Sequence, residues 1–153
     1  RIQQILAPPP VDGYPELQGR SGNDAMRLAF THSYEGDRVF ALMAGVRSMI
    51  DAAYGGKQEF FMLDELDQQK LYSSARNLET VAWQLNHRKD KQGEPMLLAN
   101  GLSKQGIANV SFERVLGKMI ALQDMLASII ADTTDRTIKN VVHRAASFTF
   151  LPI

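Results

Sequence analysis

From Ser21 onward, apolar residues recur at steps of three and four, and strict alternation hardly appears, so the pattern predicts helices almost throughout. The clearest run places Phe112, Val115, Met119, Leu122, Leu126 and Ile129 on one line, opened by Asn109 or Ser111, either of which suits a helix N-cap. Leu116, Ile120, Met125 and Ile130 widen that line beyond a two-position seam, which predicts a central helix packed by several neighbours.

A second helix is expected from Asp37, carrying Val39, Leu42, Val46, Met49 and Ala53 inward and stopping at Gly55-Gly56. Ahead of it, Ala25, Leu28, Ala29 and His32 form a shorter stripe behind the possible caps Ser21, Asn23 and Asp24, with Gly36 separating it from the helix that opens at Asp37. A third helix is expected to open at Asp64, with Glu65 and Asp67 near the positive pole of the helix dipole. Its stripe is Leu71, Ala75, Leu78, Ala82 and Leu85, and it ends basic at His87, Arg88, Lys89 and Lys91 before Gly93 and Pro95. A last helix is expected from Thr134-Asp135 through Ile138, Val141, Val142 and Ala145. The apolar ending Phe148 to Ile153 would forgo roughly 1.5–3 kcal/mol for each large side chain left in water, so it should dock on the bundle or on a partner. The runs Glu59 to Leu63 and Pro95 to Gly101 are too short for their period to be read.

The expected fold is therefore all-α, a compact bundle of four to five helices over residues 21–153, preceded by an extended Pro-rich leader over residues 1–20. Four of the six prolines fall between Ala7 and Pro15, where they forbid a helix interior and favour extended geometry. At 153 residues one domain is expected, and 44% hydrophobic with 22% charged residues is ordinary globular material. The 17 Lys and Arg balance 17 Asp and Glu, which removes the basic footprint of a nucleic-acid binder. No apolar run is long enough to span a membrane. Any lipid anchor would lie upstream of Arg1. That start suggests a processed chain, and the tether-like leader an envelope or periplasmic setting in a bacterium, with the cytoplasm as the alternative.

Zero cysteines exclude disulfides, thiolate metal sites and cysteine nucleophiles. Gly56-Lys57 is followed by Gln58 where a phosphate-binding loop needs Ser or Thr, and Gly101 to Gly106 is one residue too long for a nucleophile elbow. His32, His87 and His143 share no i+3 or i+4 spacing, Asp64 to Asp67 fits helix-dipole compensation, and no Glu-x-x-His motif is present. No catalytic residue, metal ligand or cofactor is assigned on this basis. The knot His87 to Lys91 could touch phosphate or an acidic partner, but Asp90 dilutes it.

Negative chemistry and unexplained apolar termini point to a non-enzymatic protein-interaction or scaffold module whose partner is another protein or a second copy. The contact residues expected are Tyr72 and Trp83, nearly three helical turns apart, and Phe148, Phe150 and Leu151 of the tail. The alternative is a small-molecule or lipid binder with an apolar cavity between helices, lined by Met43, Phe112, Met119 and Phe148.

Overall fold

Local signals decide where the helices start and stop. The computed structural model of the protein describes residues 1–7, 9–10, 13–57, 59, 65–99, 101, 111–134, 138 and 150–153. Among them five helices occur in the order α1 (Ile2–Leu6), α2 (Gly22–Ala29), α3 (Arg38–Ala53), α4 (Gln68–His87) and α5 (Ser111–Thr134), with a 3₁₀ turn at Pro15–Leu17. No strand accompanies them among the described residues, where one isolated bridge joins Lys89 to Pro95. The fold is an all-α bundle, as the periodicity predicted.

Asp37 opens α3 by accepting the Phe40 N–H at 2.9 Å. Asp67 opens α4 by accepting the N–H groups of Gln69 and Lys70 at 2.8 and 3.1 Å, so that helix begins later than the expected start at Asp64, a residue outside the described set. The acid expected inside the first turn is the cap itself. At the end of α3, Gly55 and Gly56 take φ of +67° and +72°, and their N–H groups reach the carbonyls of Ala52 and Asp51 at 3.1 and 2.7 Å. That pair of reversed bonds closes the helix in a left-handed turn that glycine adopts without strain.

The main core forms where α2 crosses α3. A Cβ on Gly45 would lie 2.7 Å from both the backbone N and the Cγ of Met26, so only glycine lets the two backbones approach this closely. Ser48 accepts the Gly22 N–H at 2.6 Å across the same crossing. The Arg38 guanidinium donates to the carbonyls of Ala29, Thr31 and Tyr34 at 2.7 to 2.8 Å, which satisfies the open end of α2 and sets the turn into α3. His32, expected on the buried stripe, lies beyond the end of α2 and is exposed, because the helix stops at Ala29.

The core also reaches back into the first twenty residues. Leu17 is fully buried and Tyr14 meets the Phe40 ring edge-on at 5.0 Å. Arg47 of α3 donates to the carbonyls of Ile5 and Ala7, and Arg1 pairs with Glu16 at 2.8 Å, holding that carboxyl below the usual glutamate range. The described part of residues 1–20 thus packs against α3 and includes the short helix α1, ahead of the prolines.

The tail is latched by α4. Asn77, fully buried, accepts the Leu151 N–H at 2.6 Å and donates to the Leu151 carbonyl at 2.9 Å, pairing with the main chain as a neighbouring strand would. Asn23 of α2 donates to the same carbonyl at 2.6 Å. Phe150 is consequently 3% exposed, and the docking expected for the apolar ending is observed for residues 150–153. The last helix expected falls almost wholly outside the described residues; Thr134 itself closes α5.

Candidate functional site

Helix α5 is not central, contrary to the expectation from its wide apolar pattern. It packs along α4 and buries Leu116, Gln123 and Ala127. Four of its apolar residues, Val115, Leu122, Met125 and Ile129, are 50 to 56% exposed, although three of them belong to the line predicted to face the core.

The reason lies in the polar pairs between α5 and its neighbours. Gln123, buried, donates to the Tyr54 hydroxyl at 3.2 Å and accepts from Ser74 at 3.1 Å. Arg76 of α4 pairs with Asp124 at 2.5 Å, and Asn86 donates to Glu113 at 3.0 Å. Apolar residues cover well over half the circumference of α5, so burial alone does not select a face. The hydrogen-bonded pairs do, because a buried amide without partners costs about 1–3 kcal/mol. They rotate α5 until Gln123 points inward and the Val115 to Ile129 line points outward.

This outward line continues onto α3. Val39 and Met43 are exposed there, and a cleft of about 270 Å³ runs between the helices, lined chiefly by Leu42, Met43, Val46, Phe112, Val115 and Met119. Val39 was expected to face inward with Leu42 and Val46; of the three it alone is exposed. Together the two helices present an apolar surface with a shallow groove at one edge.

The contact residues expected from sequence are placed elsewhere. Tyr72 is half-buried under the Arg76 guanidinium, 5.0 Å from the ring centre, and Trp83 is half-buried with His87 stacked on it at 4.4 Å and bonded to its carbonyl at 2.8 Å. Phe150 and Leu151 belong to the latched tail, and Phe148 lies outside the described residues. None of the four described ones, Tyr72, Trp83, Phe150 and Leu151, lies on the exposed apolar line of α5. The outward line of α5 and the Asn77 latch were missed. The line's one sequence signal was an apolar arc wider than its neighbours could cover.

A second cleft, of about 510 Å³, contains Arg88 and Lys91 of the basic knot together with Arg27, Thr31 and His32. Arg27 is already paired with Asp24 at 3.2 Å and the Thr31 hydroxyl with the Arg27 carbonyl at 2.9 Å, so this is not a ring of free donors. No group of three or more metal-ligating side chains occurs among the described residues, and no helix there is long and apolar enough to cross a membrane. No protein-family model, curated protein or solved structure matches the chain.

Proposed function

We propose that this chain is a non-enzymatic protein-interaction or scaffold module, working in the bacterial envelope setting expected from sequence, and that its docking surface is the apolar face of α5 with the adjoining lip of α3. One observation carries the reading: a single helix buries a glutamine while leaving Val115, Leu122, Met125 and Ile129 half in water. Covering those four would return roughly 0.7–1.5 kcal/mol each, half the value of full burial. An exposed, largely apolar line of this kind marks an interaction site.

The small-molecule alternative has one observation in its favour, since Met43, Phe112 and Met119 do line one cleft. That cleft is small for a site that engulfs a ligand, which needs about 300–1,000 Å³. It also opens onto the α5 line, so it serves better as the pocket for one anchor side chain of a docked helix.

A photo-crosslinking residue at Met125, in cells making the full chain, tests the proposal. A discrete adduct is expected there, is expected to vanish with Ile129→Asp, and is not expected from the exposed turn position Gln92. Absence of any discrete adduct at Met125, or one indifferent to Ile129→Asp, overturns the docking face.

A further inference from the structure

The charges at the two ends of the exposed line identify what covers it. Val115, Lys118, Leu122, Met125, Ile129 and Asp132 are all exposed and succeed one another at steps of 3, 4, 3, 4 and 3, the seam spacing of a two-stranded coiled coil. The middle of that seam is apolar. Its first part carries Arg114 and Lys118, one turn apart on the same flank, and its end carries Asp132. These three make no ion pair or hydrogen bond among the described residues, whereas Arg76, Glu113 and Asp124 on the α4 side are all engaged.

Resting on the docking face proposed above, we propose that its occupant is a second copy of the chain, with the two α5 helices antiparallel about a two-fold axis between Leu122 and Met125. The arrangement is self-complementary. Leu122 lies opposite Met125 of the second copy, in both directions. The methylenes of Lys118 lie over Ile129 of the second copy, leaving the ammonium at the edge. Asp132 of the second copy comes level with Val115, between Arg114 and Lys118. The two ends lie about 25 Å apart at 1.5 Å per residue, so each cation cluster meets only the far carboxylate of its partner. A parallel pairing in register would set Lys118 against Lys118 and Asp132 against Asp132, which repel.

Two further features suit this partner. Ala121 and Ser128 line one edge of the seam and are exposed, so nothing bulky holds the helices apart on that side. The chain carries no net charge, so two copies approach without overall repulsion. A twofold contact uses the same patch on both copies, which a line basic at one end and acidic at the other satisfies without a second protein. A single helical seam lies at the small end of stable interfaces, so dissociation in the micromolar range is expected.

Sedimentation equilibrium on the full chain, with circular dichroism confirming the fold of each variant, tests the assignment. The wild type is expected to be a dimer that dissociates on dilution. Asp132→Lys is expected to weaken it ~10-fold, as is the pair Arg114→Glu with Lys118→Glu, and combining all three substitutions is expected to restore most of the affinity. That restoration is a readout that merely damaged packing would not give. A wild type that stays monomeric at several hundred micromolar overturns the second copy as occupant; a Met125 adduct to a different protein would then leave the docking face standing without it. A dimer unmoved by charge reversal overturns the antiparallel seam, and one unmoved by Leu122→Asp as well, with no Met125 adduct, overturns both readings.

Discussion

The α2–α3 and α4–α5 pairs solve the same packing problem by different means. Shape decides the first: Gly45 admits Met26 and the start of α2 at distances a Cβ would forbid, and the small residues Ala25, Ala29 and Ala41 are fully buried in the same core. Polar pairs decide the second, through Gln123 with Ser74 and Tyr54, and Arg76 with Asp124. The pair held by shape leaves Val39 and Met43 exposed, both at one edge of α3. A pair aligned by hydrogen bonds can leave apolar side chains over, and on α5 it leaves the line that we assign to docking.

The contrast is sharpest at Gly45. Gly45→Val pushes a side chain into the Met26 backbone and is expected to cost roughly 3 kcal/mol, read as a fall in thermal midpoint, since overpacking at a main-chain contact cannot be relieved by a rotamer change. No single exposed position on α5 should approach that value. The tail latch comes next. Asn77→Ala removes both bonds that Asn77 makes to the Leu151 main chain, leaving the Asn23 amide on its carbonyl, and is expected to cost about 2 kcal/mol. Hydrogen exchange at Leu151 should rise with it; an unchanged exchange rate would mean that Phe150 and the Asn23 bond suffice to hold the tail.

The smallest effects bear most directly on the docking face. Gln123→Leu strips Tyr54 and Ser74 of a shared partner and is expected to cost about 1 kcal/mol, while Leu122→Ser, one residue away and apolar in the wild type, should cost less than ~0.5 kcal/mol in the dissociated chain. Denaturant titration at high dilution compares them. A larger loss for Leu122→Ser would mean that the side chain serves the fold rather than a partner.

Much of this fold was legible in the chain because its signals are local. Asp37 as a cap, Gly55-Gly56 as a stop, and the basic end of α4 depend on backbone groups within a few residues, and each was found where expected or within one turn of it. Apolar spacing determined that the elements are helices. It did not determine the rotation of α5, because a line of apolar residues states only that a face avoids water, and this helix has more such face than its neighbour can cover. Gln123, Asn77 and Ser74 looked like ordinary polar positions, since their partners lie between 49 and 74 residues away in sequence. For α2 to α5, helix type and boundaries were thus settled by the sequence within a turn or two of chain. Which apolar face stayed outside was settled only when the tertiary structure chose partners for buried amides, as the cost of leaving one unpaired exceeds the gain from covering one more half-exposed side chain.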